Sequence, residues 1–126
     1  MASINWAFLC DYAFVANGKG SIIGIFDQIG IKTLPATHAQ MFLVIALTIK
    51  PEDGQIKIGA QVSSPSGNAV AFLEQPPVSV FGGMSNHNTI FGFYGLSLPE
   101  AGQYNVEVFI NNQSVHLIPL QVNLIR

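Results

Sequence analysis

Turn-forming residues divide this chain into short apolar segments at intervals of roughly ten residues, a spacing typical of all-β domains. The clearest turn clusters lie at residues 17–20, 51–54, 64–67 and 111–114. No segment of useful length has the periodicity of an amphipathic helix. A length of 126 residues is ordinary for one domain. We therefore predict that residues 1–126 form a single-domain, all-β antiparallel β-sandwich.

The segment LPEAGQY at residues 98–104 has the most recognisable local pattern in the sequence. Its acidic-Ala-Gly turn is followed at once by Gln-Tyr, as in the tyrosine corner of immunoglobulin-like sandwiches. We expect Gly102 to shape the turn and the Tyr104 hydroxyl to return to the backbone a few residues upstream. The next strand alternates cleanly, with Val106, Val108 and Ile110 on the inward side. The pattern favours an immunoglobulin-like sandwich of about eight or nine strands over a barrel.

The stretch at residues 6–29 is predicted to form a hairpin of two long apolar strands joined by a glycine-rich turn. Gly18 is the expected structural glycine of that turn. A strand with apolar residues on both parities is covered on both faces. We expect one face of the hairpin to pack into the sandwich, and the other to meet a partner chain or the crossing segment at residues 31–39. In the first strand one parity consists of Trp6, Phe8, Cys10, Tyr12 and Phe14, and the other includes Ala7, Leu9, Ala13 and Val15.

Each strand of this hairpin carries a single acid, Asp11 in the first and Asp27 in the second. A turn of two or four residues places the two carboxylates on opposite faces, and one of three or five residues can bring them to the same face. A structural role, in which each acid caps a turn or accepts bonds from backbone amides, is favoured over a catalytic pair. Asp11 and Asp27 remain candidate binding residues.

A second hairpin is predicted between residues 41–50 and 55–62, joined by the turn Pro-Glu-Asp-Gly that ends at Gly54. With residues 51–54 as the loop, Ile49 lies opposite Ile56 and every apolar residue falls on one face. A loop one residue longer or shorter would turn Ile56 towards solvent.

Charged residues make up only 10% of the chain, where roughly 25% is usual. Residues 58–73, 75–99 and 108–125 contain no charge at all, so we expect another copy of the chain to cover part of the surface. The five basic residues are scattered, which argues against a nucleic-acid partner. Polar residues and prolines interrupt the uncharged runs, so no membrane span is expected. One cysteine and an N-terminus without a secretory pattern predict a cytoplasmic protein.

Residues 82–88, GGMSNHN, are predicted to form a mobile loop, and Asn86, His87 and Asn88 are its candidate binding residues. The three histidines of the chain lack metal-ligand spacing, so neither a metal nor another cofactor is predicted. No catalytic residue is predicted. The favoured function is a non-catalytic module that acts through protein-protein association. The alternative is a domain that binds a small molecule or carbohydrate with loops at one end of the sandwich.

Several motifs, taken in order, resemble those of one protein family. Cys-Asp at residues 10–11, Gly-Lys at residues 18–19 and IIGIFD at residues 22–27 match its first hairpin. Residues 102–108 match its G-x-Y-x-V-x-V strand, and residues 119–122 match its PLxV segment. The chain is therefore similar to a family of small bacterial proteins of unknown function. The resemblance implies a bacterial origin and a sandwich-like fold, and it implies no activity.

Overall fold

The computed structural model describes residues 2–17, 19–79, 83 and 85–125. Over these residues the chain forms nine β-strands and a single 3-10 turn at Pro51–Asp53. The strands are β1 (Ser3–Ala16), β2 (Lys19–Ile25), β3 (Gln28–Ile31), β4 (Ala36–Ile49), β5 (Ile58–Ser63), β6 (Ala69–Glu74), β7 (Ser85–Leu98), β8 (Gly102–Ile110) and β9 (Gln113–Leu124).

The strands form two sheets, and the predicted all-β, immunoglobulin-like sandwich is confirmed. One sheet has four strands in the order β2-β1-β4-β7, and the other has five in the order β3-β9-β8-β5-β6. Neighbouring strands are antiparallel except β3 and β9, which run parallel. The main core lies between the sheets. Its fully buried large side chains include Leu9, Met41, Leu43, Ile45, Leu47, Ile49, Ile56, Ile58, Leu98, Tyr104, Ile110 and Leu120.

The tyrosine corner lies where the chain enters β8. The hydroxyl of Tyr104 donates a hydrogen bond to the carbonyl oxygen of Glu100 at 2.7 Å and accepts one from the Glu100 amide at 3.2 Å. Gly102 has a φ of 130°, and a β-carbon placed on it would lie 2.9 Å from Cγ of Pro65. Glycine is therefore needed at this position both for its backbone conformation and for the close approach of Pro65.

Removing the corner hydroxyl tests its contribution to stability. We expect Tyr104→Phe to lower the free energy of unfolding by about 1–2 kcal/mol, because the Glu100 backbone groups lose their partner. Burial raises the pKa of Tyr104 above its ordinary value. The folded state therefore holds this proton more tightly, so its contribution is full below pH ~10 and is lost as the pH rises through the folded pKa. Urea unfolding at neutral and alkaline pH measures both effects, and Tyr94→Phe, at an exposed ring, is the control.

The predicted pairing of residues 41–50 with residues 55–62 is wrong. β4 pairs with β1 and β7, whereas β5 pairs with β6 and β8 in the opposite sheet. Between them, the 3-10 turn at Pro51–Asp53 and Gly54, whose φ is 66°, carry the chain from one sheet to the other. The apolar residues of both segments do face one core, but they approach it from opposite sides.

Several strand boundaries also differ from those predicted. The segment at residues 22–29 is divided between β2, which ends at Ile25, and β3, which begins at Gln28. Residues 36–39, expected in a connection, belong to β4. In β9 the register shifts opposite Val108 and Phe109, not at Pro119, which stays paired with Asn105.

The side of β7 that faces the core changes part-way along the strand. Phe91 and Phe93 are buried at odd positions, and Leu96 and Leu98 at even positions. Gly95 lies at the change, with a φ of 64° that other residues rarely adopt. The strand has apolar residues at both odd and even positions because its core-facing side changes at Gly95, and not because both of its faces are covered.

Candidate interaction surface

The first hairpin has a tighter turn than expected. Ala16 pairs with Lys19, so the loop consists of Asn17 and Gly18 alone. Asn17 has a φ of 53°, as two-residue hairpin loops require, and Gly18 lies outside the described residues. Lys19 and Gly20, predicted as part of the turn, belong to β2.

β1 changes its partner strand near Asp11. It pairs with β4 from Ser3 to Cys10 and with β2 from Cys10 to Ala16. Opposite Asp11, Gly24 has a φ of 71°, and a β-carbon placed there would lie 2.9 Å from Cγ of Asp11. Gln40 Nε2 donates to the carbonyl oxygen of Asp11 at 3.1 Å. The Asp11 carboxylate therefore occupies the space above a glycine at the point where the hairpin leaves the sheet.

Beyond this point the hairpin folds over the outer face of its own sheet. Ala13 is buried in a cluster with Cys10, Phe42 and Val44, separate from the main core. A β-carbon on Gly20 would lie 3.5 Å from Nδ2 of Asn88, which is on β7. Because β1 and β4 separate β2 from β7 in the sheet, this contact requires the hairpin end to lie across the sheet. The outer face of β4 is thus covered by the same chain.

Cys10 is part of this outer cluster. Its thiol lies 3.7 Å from the carbonyl oxygen of Phe42, and burial raises its pKa. A thiol whose ionisation is disfavoured acts as a small apolar side chain and not as a nucleophile.

The hairpin leaves seven large apolar side chains exposed, and we give the name hairpin surface to six of them, leaving out Val15, whose parity in β1 is opposite to that of the four aromatic residues. Its aromatic members form two ring pairs, with centroids 5.4 Å apart for Trp6 and Phe8 and 5.7 Å apart for Tyr12 and Phe14. The charged residues of β1 and β2 are Asp11 and Lys19 alone. The exposed fractions are Trp6 38%, Phe8 40%, Tyr12 45%, Phe14 37%, Ile23 55% and Ile25 59%.

The first half of β1 is an open sheet edge. The Phe26 amide donates to the Leu9 carbonyl oxygen at 3.0 Å, on the side away from β4. Since alternate residues of a strand direct their backbone groups to the same side, the N–H and C=O of Ala7 also point away from β4. No described residue pairs with them. A cleft of about 330 Å³ lies beside this edge, lined by Ala7, Phe8, Leu9, Ile25, Phe26, Asp27 and Ile118.

The candidate residues Asn86, His87 and Asn88 lie on β7, so their assignment to a loop is wrong. Asn86 is hydrogen-bonded at the outer face of the four-stranded sheet, where Thr48 Oγ1 donates a hydrogen bond to Asn86 Oδ1 at 3.1 Å. Alternation directs Asn88 to the same face and His87 to the opposite one, where it is half-buried. The three side chains therefore do not converge on one ligand. Gly82 and Met84 of the predicted loop lie outside the described residues.

Asp11 and Asp27 are both exposed and lie in different settings. Asp27 follows β2, and its carbonyl oxygen accepts a hydrogen bond from the Gln121 amide at 2.9 Å. Because Asp27 is beyond the end of β2, the length of the turn does not determine whether it meets Asp11. Among the described residues, no group of three or more His, Cys, Asp or Glu side chains could hold a metal ion.

The sequence profile of one protein family matches residues 5–123, and the family is described as a family of unknown function, DUF6941. The chain belongs to this family. No curated protein matches the DUF6941 chain.

Two solved structures resemble this DUF6941 domain. The alkylpurine DNA glycosylase AlkC of Pseudomonas fluorescens, bound to DNA containing an abasic-site analogue, matches with a TM-score of 0.56 and 10% identity. The match covers 93% of this chain and 30% of the glycosylase chain. An immunoglobulin-like protein from Pseudomonas aeruginosa has a TM-score of 0.46 and 11% identity, over 98% of this chain and 97% of its own. At this identity the glycosylase likeness shows the fold alone.

The described part of the DUF6941 domain contains no helix with the length and apolar character needed to cross a membrane.

Proposed function

We propose that this protein is a non-catalytic β-sandwich module that acts through protein-protein association, and that its partner is a second copy of the chain. The observation that carries the proposal is the hairpin surface, on which six large apolar side chains remain exposed. Single exposed apolar residues are ordinary, whereas a group of them on one element is typical of an interaction site.

The opposite side of the sandwich supports this choice of surface. The exposed large apolar residues described on the five-stranded sheet are Phe72, Val115, Leu117 and Leu124, and Gln61 and Glu107 lie between Phe72 and Leu117 on neighbouring strands. The polar residues of β5, β8 and β9 include Gln61, Gln103, Asn105, Glu107, Gln121 and Asn123. A mixed surface of this kind is suited to water, and the hairpin surface is not.

The free energies of association and of apolar burial indicate that a group of side chains, and not a single one, is needed to hold a dimer. Association costs about 4–15 kcal/mol in lost freedom of motion. The side chains of the hairpin surface are between 37% and 59% exposed, and burying the remainder of each contributes about 1 kcal/mol. Twelve such side chains, six from each copy, are therefore of the right order to hold a dimer, while an isolated residue such as Phe72 is not.

The proposal is tested by the oligomeric state. We expect size-exclusion chromatography with light scattering to give a dimer at micromolar concentration and to give a monomer for Phe8→Asp, because association would bury the new carboxylate. Phe72→Asp is the matched control, since it introduces the same charge at an exposed phenylalanine of the other sheet. Circular dichroism checks that both variants fold. A monomeric wild-type protein, or a Phe8→Asp variant that folds and stays dimeric, would contradict the proposal.

A further inference from the structure

We infer that the outer face of the five-stranded sheet carries a binding site for a single neutral sugar ring, above Gly59 in the middle of β5. Ala60 is buried in the main core, so alternation directs Gly59 to the outer face. A cavity of about 200 Å³ lies there, lined by residues of β5, β6 and β8 and of the chain beside them. The inference goes beyond the proposed association, because the cavity and the hairpin surface lie on different sheets.

Gly59 forms the base of the cavity, and the fold itself does not require glycine there. Glycine inside a strand weakens it and often marks a bulge, a bend or a close approach to the backbone. β5 pairs with β8 in unbroken register from Ile58 to Ser63, and the φ of Gly59 is not in the left-handed region. A β-carbon on Gly59 would lie 3.4 Å from the Leu73 carbonyl oxygen and from the Phe72 ring, which is an ordinary contact. Close approach of a ligand is the explanation that remains.

Two aromatic rings line the cavity from the strands on either side of β5. Phe109 is on β8, directly opposite Gly59, and Phe72 is on β6, opposite Gln61. Phe72 is 52% exposed, so much of its ring is open to a ligand. The face of an aromatic ring carries partial negative charge and attracts weakly positive C–H groups. A sugar ring presents such C–H groups on its faces, so the two phenylalanines can hold one.

Polar side chains lie at both ends of the cavity. At one end, Nζ of Lys57 is 3.7 Å from Oε2 of Glu74. The turn at residues 111–112, whose second member lines the cavity, is held at this end by a hydrogen bond from the Lys57 amide. At the other end, Nε2 of Gln61 donates to Oγ of Ser63 at 3.2 Å, so Oε1 is the Gln61 atom that can accept from a ligand. A ligand that uses both ends needs hydrogen-bonding groups around its whole perimeter.

The charges of the cavity favour an uncharged ligand with hydroxyl groups. An anion would meet the carboxylate of Glu74 and a cation would meet the ammonium of Lys57, whereas a hydroxyl group both donates and accepts and so suits either. Sugar hydroxyls are distributed around the ring, as the two polar ends require. Pockets for drug-sized ligands measure roughly 300–1,000 Å³, so this smaller cavity suits one ring and not a chain of rings.

Titration of the isotope-labelled protein, followed by NMR of its backbone amides, tests the site. The probes are methyl glucoside, methyl galactoside, methyl mannoside and N-acetylglucosamine. We expect at least one of these neutral sugars to shift the amide signals of Gly59 and Asn112 with a Kd of about 1 mM, as is typical of so small a ligand. If none of them shifts these signals at ten times that concentration, the inference is overturned.

Glucuronate and phenol are the control ligands, because glucuronate adds a negative charge to the sugar ring and phenol is a flat ring without its set of hydroxyls. We expect both to bind at least tenfold more weakly than the best neutral sugar. Equal binding of either one overturns the assignment to a neutral sugar, since it would show a site that selects neither for charge nor for hydroxyl groups.

Two variants locate the binding. We expect Gly59→Val and Phe72→Ala each to weaken binding of the best sugar at least tenfold, because the first fills the base of the cavity and the second removes one ring. Leu117→Ala is the matched control, since it removes another exposed apolar side chain of this sheet outside the cavity. It should bind as the wild type does. Phe72 is exposed, so its variant is expected to fold, and a folded Phe72→Ala with wild-type affinity contradicts the inference.

Discussion

Replacing Gly24 by alanine is expected to lower the free energy of unfolding by about 2–3 kcal/mol. The φ of 71° costs a residue with a β-carbon roughly 1–2 kcal/mol. The new methyl group would also overlap the carboxylate of Asp11, and displacing this exposed side chain adds about 1 kcal/mol, the lower end of the cost of overpacking. Urea unfolding followed by the fluorescence of Trp6, the one tryptophan of the chain, measures the change.

Gly95→Ala separates the two causes. Gly95 has a φ of 64°, close to that of Gly24, but a β-carbon there would lie 4.0 Å from Cγ2 of Thr37, an ordinary contact distance. The difference between the two variants therefore measures the overlap with Asp11, and Asp11→Gly in the Gly24→Ala background should recover it. If Gly24→Ala costs no more than Gly95→Ala, then Asp11 does not pack against Gly24.

Phe42→Ala is expected to lower the free energy of unfolding by about 3–5 kcal/mol. Phe42 points to the outer face of its sheet, where a side chain would ordinarily be solvated, yet it is buried beneath the folded hairpin. Its ring contacts those of Tyr12 and Tyr94, with centroids 5.3 Å and 5.8 Å away. Removing it opens a cavity between the hairpin and the sheet. Chemical denaturation of the two proteins at one pH gives the difference.

The control for this experiment is Phe72→Ala, which removes the same atoms from an exposed position on the other sheet and should cost far less. A loss below about 1 kcal/mol for Phe42→Ala, equal to that of an exposed phenylalanine, would show that the hairpin does not cover β4 in solution.

The parts of the fold that were predictable from sequence are those fixed by local chemistry. The corner at Tyr104 depends on a turn and a hydroxyl four residues from its partner Glu100, so a short segment contains the whole signal. β8 alternates strictly because one of its faces meets the core and the other meets water. Both features follow from residues close together in the chain.

Strand pairing was harder to predict. The alternation of β4 and β5 shows that each has an apolar side, but two strands on facing sheets satisfy that requirement as well as two strands in one ladder. The turn at Pro51–Asp53 is equally compatible with both. The pairing is determined by the remaining strands, because β1 and β7 occupy both sides of β4 and leave no place there for β5.

The candidate interaction surface was predicted in part. Apolar residues on both parities of β1 indicated that both sides of the hairpin are covered, and the structure shows that the chain itself provides much of that cover. The sequence pattern did not reveal where β2 separates from β1. The edge at Ala7 is open because β2 ends at Ile25. Gly24, just before this end, has a positive φ, which hydrophobic periodicity does not predict.

The reversal at Gly95 has a consequence for redesigning the protein. The outward-facing positions of β7 are even-numbered before Gly95 and odd-numbered after it, as exposed Tyr94 and Ser97 show. A design that replaced every even-numbered residue along the whole strand by a charged one would place charges at Leu96 and Leu98, inside the core. Shifting the pattern by one residue at Gly95 keeps the replacements out of the main core, and Ile90 is left unchanged because it packs against the outer cluster around Cys10.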